Sequence, residues 1–308
     1  ALYAQADFSG EFYRGNFGVR YVNTDQTSTG FADGKPYNES VNYDNWLPSI
    51  NVAFDLQEDL ILRASASAVM ARNNYSDLKP GLAIAKNFGT ATGGNPNLKP
   101  YKANQADLGI EWYFTESSML SAALFYKDID NVVFVTESTQ YIEGCGASES
   151  EWDKCRVTAP ANGGSGSVTG LEIQLQHNFE SGFGFLTNYT YVDSKSTRPD
   201  GTEQMIEGVS ENSFNGSLFY EDDLFSARIA YNWRSEYLGV GNIQNVLNDS
   251  YQQVDASIIW HAMENLDISL EGVNLTNEVV QSYDVKYGLT QNTIEFGSRY
   301  FVGASYKF

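Results

Sequence analysis

Residues 101–130 read at period two. Ala106, Leu108, Ile110, Trp112 and Phe114 fall on one face, and Asp107, Gly109, Glu111 and Tyr113 fall on the other. A polar turn, Thr115-Glu116-Ser117-Ser118, leads into a second alternating run, with Leu120, Ala122, Leu124 and Tyr126 opposite Ser121, Ala123, Phe125 and Lys127. Successive side chains leave a strand on opposite faces, so this spacing predicts an antiparallel hairpin with one apolar face. That face carries rings at both ends, Trp112 and Phe114 near the turn and Tyr126 far from it. A soluble hairpin gains nothing from such placement. A hairpin crossing a bilayer does, because amphipathic rings settle at the two lipid–water boundaries.

The same alternation recurs from residue 3 to residue 308 and predicts about thirteen strands. Short polar turns follow every second strand, as at 57–59, 180–182, 221–223 and 263–265. Between them lie long polar stretches, 23–44, 72–100, 136–166, 194–212, 235–250 and 276–297, which read as loops. Short turns at one end and long loops at the other are the asymmetry of an outer-membrane barrel. A strand of about 11 residues rises about 37 Å and, tilted near 45°, covers about 26 Å of depth, close to a bilayer's apolar band. A soluble sandwich or propeller fits less well, since no propeller-length repeat is visible. Bacterial single-chain barrels use even strand numbers and begin and end in the periplasm. An odd count would leave two unpaired edges in lipid, at several kcal/mol per orphaned backbone group. The expectation is one unit, residues 1–308, forming the C-terminal part of a larger barrel, or completed by other chains.

Composition agrees. The chain has 19 Lys+Arg against 39 Asp+Glu, a formal charge of −20, which argues against a nucleic-acid partner. Aromatic residues make up 14% of it, and 20 of them are Tyr, a load that suits strands and interfacial girdles. Mean hydropathy is −0.36, and no apolar run reaches the 18 or so residues of a transmembrane helix. Cys145 and Cys155 lie close together with no histidine nearby, so a disulfide in an oxidising compartment is expected rather than a metal site. The chain opens on an alternating segment with no secretion signal, which suggests an N-terminus further upstream.

Several segments resemble TonB-dependent outer-membrane receptors: Gly94-Asn95-Pro96-Asn97-Leu98-Lys99-Pro100, Glu111-Trp112-Tyr113-Phe114, Phe125-Tyr126-Lys127-Asp128-Ile129-Asp130-Asn131, Val168-Thr169-Gly170-Leu171-Glu172, Val273-Asn274-Leu275-Thr276-Asn277, and Gly297-Ser298-Arg299-Tyr300-Phe301-Val302-Gly303. The wording of 120–131 and of Met70-Ala71-Arg72-Asn73-Asn74-Tyr75 is similar to a Caulobacter- and Xanthomonas-type branch associated with oligosaccharide uptake. The resemblance implies a 22-stranded barrel in the Gram-negative outer membrane, an N-terminal plug, and energised uptake through a periplasmic TonB partner. The plug, its TonB box and nine strands would lie outside this chain. An oligosaccharide is the expected cargo, with an iron-siderophore or other chelate as the alternative; a passive porin or adhesin-like surface barrel is the other reading. Tyr306 and Phe308 resemble the C-terminal signal read by the outer-membrane insertion machinery.

No catalytic constellation stands out, with His177 and His261 on different strands, so an enzyme, a cofactor and a bound metal are not expected. The glycines at 163–166 lack the Lys and helix of a phosphate loop and read as a flexible outer loop. Candidate substrate contacts are outer-loop rings: Tyr37, Tyr43, Tyr75, Tyr141, Trp152, Tyr237, Tyr283 and Tyr287, with Trp46 beside them. Rings stack on sugar faces and on planar chelates alike. Charges in the inward phase, Arg20, Arg63, Arg228, Arg234, Glu111, Glu172, Asp267 and Glu271, could guide a solute, pair with one another or meet the plug. Outer-membrane lipid and lipopolysaccharide are the remaining expected partners.

Overall fold

A computed structural model describes residues 1–308 apart from 33–34, 86–87, 147–152, 199 and 240–245. The strands, in chain order, open with β1 (Leu2–Ser9), β2 (Tyr13–Ala32), β3 (Lys35–Gln57), β4 (Leu60–Ala71), β5 (Leu82–Ala85), β6 (Thr90–Gly93) and β7 (Tyr101–Thr115). There follow β8 (Ser118–Tyr141), β9 (Lys154–Asn178), β10 (Phe183–Thr197), β11 (Glu203–Gln204), β12 (Asn212–Glu221) and β13 (Phe225–Arg234). The last are β14 (Tyr237–Leu238), β15 (Val246–Asn248), β16 (Tyr251–Met263), β17 (Leu266–Val273), β18 (Val279–Asp284), β19 (Thr290–Glu295) and β20 (Arg299–Tyr306).

Thirteen of these form one antiparallel meander, in the order β1-β2-β3-β4-β7-β8-β9-β10-β12-β13-β16-β17-β20. Each pairs with the meander strand before and after it, and β1 and β20 are its two edges. The thirteen expected strands are therefore the thirteen of the meander. Four outer strands, β14-β15-β18-β19, make a separate small sheet. The tiny β11 pairs with β10, and the β5–β6 hairpin lies against β9 through a parallel pairing of β6.

Register explains why one face is apolar from strand to strand. Leu62 lies opposite Ile110, Ile110 opposite Ala122, Ala122 opposite Ile173, and Ile173 opposite Tyr189. Further along, Leu218 meets Ile229, Ile258 meets Leu270, and Leu270 meets Val302. A one-residue slip on any strand would turn its apolar set to the other face, so this belt pins the pairing. Among the described residues no second layer covers it: Leu108 is 48% exposed, Leu124 55%, Leu218 62% and Leu270 53%. An uncovered apolar band of this extent belongs against hydrocarbon. Rings border it at both ends. Trp112–Phe114, Phe183–Tyr220 and Tyr306–Phe308 lie at the short-turn end, with centroids 5.3, 4.7 and 5.1 Å apart. Tyr21–Trp46 and Phe214–Tyr231 lie at the other, 4.9 and 6.1 Å apart.

The opposite face is polar and hydrogen-bonded across strands. Ser65 donates to Asp107 at 2.9 Å, Asn51 to Asn16 at 3.0 Å, and Asn215 to Asn188 at 2.8 Å. A cavity of about 850 Å³ opens on this face between Asp7, Arg14, Arg63, Asp107 and Glu111.

All six stretches read as loops carry strands, including β5 and β6 within 72–100, the ends of β8 and β9 within 136–166, and the end of β10 with β11 within 194–212. Residues 23–32 belong to β2 and 35–44 to β3, and the two strands stay paired from Tyr13 opposite Phe54 to Ala32 opposite Lys35. Above the bilayer neither face needs apolar residues, so the alternation fades while Thr, Val and Tyr keep their strand preference. The glycines at 163–166 lie inside β9, paired with β8. They let backbones and rings close in: a Cβ on Gly164 would sit 1.4 Å from the Thr197 carbonyl oxygen, and one on Gly163 would sit 2.2 Å from the Phe134 ring. Strands β14 and β15 lie within 235–250, and β18 and β19 within 276–297.

Candidate functional site

Strand β13 ends at the outer side on Arg234, whose guanidinium lies over the Tyr237 ring at 4.4 Å and over the Tyr251 ring at 5.6 Å. A planar cation suits that sandwich, since ring faces carry negative charge. One guanidinium nitrogen, Nη1, is buried with no hydrogen-bond partner. Tyr251 donates to Gln253, and Gln253 donates to Asp255. Next to this group Tyr283 on β18 donates to Glu236 at 2.6 Å. That carboxylate, helped by partial desolvation, pushes the Tyr283 phenol from 10.0 up to about 12. Tyr237 and Tyr283, far apart in sequence, are thus brought together on the small sheet through β15, which pairs with both strands. Tyr251 belongs to the same cluster, although its position at a strand start gave no sign of it.

The other expected rings are spread along the outer side. Tyr37 and Tyr43 are half-buried on β3. Tyr75 is 90% exposed, Tyr141 77% and Tyr287 66%, the last beside the Lys286 ammonium. Trp46 packs on Tyr21 in the outer girdle instead of on a loop. Trp152 lies outside the described residues.

Among the expected inward charges, Arg63 and Glu111 form a two-pronged pair at 2.8 and 3.1 Å. Both line the large cavity, beside a second pair, Arg14 with Asp55. Arg20 lies over the Tyr3 ring at 5.7 Å. Arg228 lines a second, smaller cavity with Ser226, Ser257 and Gln176. Glu172 lies opposite Ala123 and Thr190 in register, and Glu271 lies opposite Ser257 and Phe301.

Asp267 lies 2.8 Å from His261 Nδ1, and His261 Nε2 lies 3.1 Å from the Ser226 hydroxyl. The sequence separates these three residues, and the β13–β16–β17 register joins them. The order is that of a nucleophile, base and orienting acid. The Leu224 and Phe225 amides before Ser226 donate to the Asp222 carboxylate, and from Phe225 on the strand is paired with β12 and β16, so no free amide pair is seen beside Ser226 among the described residues to hold an oxyanion. The trio therefore reads as a polar clasp across three strands. His177 sits elsewhere, bonded to the Ser118 hydroxyl at 2.7 Å and ringed by Phe114, Phe179 and Phe185.

Cys145 and Cys155 form a disulfide. Both are fully buried with Ala91 and Val157, and Leu82, Ile84 and Ile142 pack against them. The Gly89 amide donates to the Cys145 carbonyl and the Arg156 amide to the Gly89 carbonyl, so the bridge fastens the β5–β6 hairpin to the β8–β9 pair.

A next-neighbour antiparallel sheet, apolar and ring-bordered outside, polar inside, with tight turns at one end and tall structure at the other, defines the wall of an outer-membrane barrel. The profile of the family described as TonB dependent receptor-like, beta-barrel matches residues 1–275, and the chain belongs to that family. Its members are outer-membrane transport receptors of Gram-negative bacteria and not enzymes. The chain is 26% identical over 269 residues to the catecholate siderophore receptor Fiu of Escherichia coli (strain K12), an alignment covering 80% of this chain and 31% of that protein. The chain thus spans about a third of the length of this curated relative. Its fold is similar to the closed form of the ferric-catecholate import receptor Fiu from K12 E. coli (TM-score 0.69, 19% identity, 99% of this chain and 44% of that one). It is also similar to the ferric yersiniabactin uptake receptor FyuA from Yersinia pestis (TM-score 0.70, 17% identity, 99% and 45%). The copper transporter OprC gives a TM-score of 0.71 at 12% identity, with 99% and 47% covered.

Proposed function

We propose that this chain supplies thirteen strands of a larger barrel whose plug and remaining strands come from the rest of the receptor, and that the whole takes up a large solute with energy delivered by a TonB-type partner. The observation that carries the larger barrel is the pair of unpaired edges, β1 and β20, on a sheet that otherwise pairs every strand. In hydrocarbon such edges need partners, and each orphaned amide or carbonyl costs several kcal/mol.

Within uptake, a metal chelate with anionic, ring-bearing donors is the cargo we favour. The siderophore receptor related over most of the chain supports it. So does Arg234, a cation held between two phenols with one buried nitrogen lacking an acceptor. An oligosaccharide remains the second reading, supported by the exposed rings Tyr75, Tyr141 and Tyr287. Calorimetry on the full-length receptor with ferric catecholates, other iron chelates and a glycan panel separates the two. The expected result is chelate binding that falls about tenfold or more in Arg234→Ala, as loss of a charged contact gives. Binding to glycans and to no chelate overturns this reading.

A further inference from the structure

The outward face of the β2–β3 hairpin does not end at the ring girdle. On β2, Phe17, Val19 and Tyr21 face lipid, and the same phase continues through Asn23, Asp25, Thr27 and Thr29. On β3 it runs down again through Ser40, Asn42 and Asp44 to Trp46, Pro48 and Ile50. Every residue of this upper face is exposed. Its side chains are tied to one another across the strands: Asn42 donates to Asp25, Asn23 to Asn42, and the Thr27 and Ser40 hydroxyls lie 3.1 Å apart.

The hairpin's other face is fixed against the protein. Val22, Ser28 and Asn45 are buried there, Gln26 donates to the Pro96 carbonyl at 3.0 Å, and Arg72 donates to Thr24 at 3.0 Å. The polar array is thus held facing outward, away from the barrel interior and any cargo. From Tyr21 to Thr29 it climbs roughly 27 Å along the strand, or about 19 Å in height at a 45° tilt. That is the layer directly above the outer leaflet's acyl chains.

We propose that this face is a binding surface for the saccharide headgroup of outer-leaflet lipopolysaccharide. The surface is continuous with the lipid-facing belt, so the molecule that covers the belt's upper rim is a membrane lipid, and only one with a tall headgroup reaches Thr29. Hydroxyls, carboxamides and carboxylates in a strand-spaced grid match a ligand made of ring hydroxyls. The face's own side chains include no Lys or Arg among the described residues, so its grid is matched to sugars; Arg72 and Lys79 lie only at its β2 flank, where they line a cavity with Asp25, Thr27 and Thr29. This inference rests on outer-membrane location alone and not on the cargo.

The test uses the full-length receptor in detergent, stripped of endogenous lipid, with lipopolysaccharide bearing core sugars, lipid A without them, and phosphatidylethanolamine. Core-bearing lipopolysaccharide is expected to bind about tenfold or more tighter than lipid A, the worth of one or two net hydrogen bonds. Asp25→Ala/Thr27→Ala/Asn42→Ala is expected to erase that difference while cargo binding stays unchanged. If this variant does not fold, Thr27→Val/Ser40→Ala, which removes the hydroxyl pair, is expected to cut the difference about threefold. Equal binding of lipid A and core-bearing lipopolysaccharide by the unaltered receptor overturns the proposal. So does a folded variant that keeps the full difference.

Discussion

Asn274 closes β17 in a left-handed conformation, φ 56°, and is almost fully buried. Its amide donates to Asp255 at 2.8 Å, its carboxamide oxygen accepts from the Glu278 amide, and its carboxamide nitrogen reaches the Glu278 and Gly297 carbonyls. The Ser298 hydroxyl donates to its carbonyl at 2.7 Å. One side chain thus ties both ends of the 274–298 connection. Asn274→Ala is expected to lose about 3 kcal/mol, about 1 for each of the three carboxamide hydrogen bonds. Asn274→Gly loses the same bonds but carries no Cβ at this positive φ, so it recovers about 1 kcal/mol of that loss. Denaturant unfolding of the full-length receptor measures both. Tyr283 gives a second residue-scale test. Its folded phenol titrates above the ordinary 10.0, near 12, so its bond to Glu236 stabilises fully below pH 10 and is lost as pH rises through about 12. A 295 nm absorbance titration is expected to show a component near 12 that disappears in Tyr283→Phe and moves down toward 10 in Glu236→Gln.

At the scale of elements, the disulfide holds a hairpin rather than only a loop. Reduction, or Cys145→Ser/Cys155→Ser, is expected to cost about 2–3 kcal/mol locally by freeing a short closed loop. Hydrogen exchange is then expected to quicken at 82–93 and 142–157 and to stay unchanged in β16 and β17; protection retained at 82–93 would refute the fastening role. The bridge itself was legible in the sequence because two cysteines stood together without other ligands. What it fastens was not legible, because β5, β6 and the upper halves of β8 and β9 carry no hydrophobic alternation. The spanning halves announced themselves through Leu108, Ile110 and Trp112, since lipid demands every second residue. Water makes no such demand, so Thr24–Thr29 and Gly163–Gly166 looked like loops. The Ser226–His261–Asp267 clasp was half legible: His261 and Asp267 flank a tight turn and must face each other, whereas Ser226 needed the register of a third strand.

For the whole molecule, the polar inner face and the two free edges set the expectation. Its ion pairs are partly solvated, with Arg63 47% and Glu111 24% exposed, so Arg63→Ala is expected to lower stability by under about 1 kcal/mol. The edges weigh more. Expressed without the remaining strands, the chain is expected to associate through β1 and β20 and to show no heat-modifiable band in semi-native electrophoresis. The full-length receptor is expected to show one. A compact, heat-modifiable species from this chain alone would mean that β1 and β20 can close on each other.

The meander order carries a consequence for assembly. Each strand of the sheet is templated by the strand just before it, and no later strand is threaded between two earlier ones. The wall can therefore grow one hairpin at a time, each addition hiding the exposed backbone of the last. Growth ends only where the first and last hairpins of the finished ring find one another.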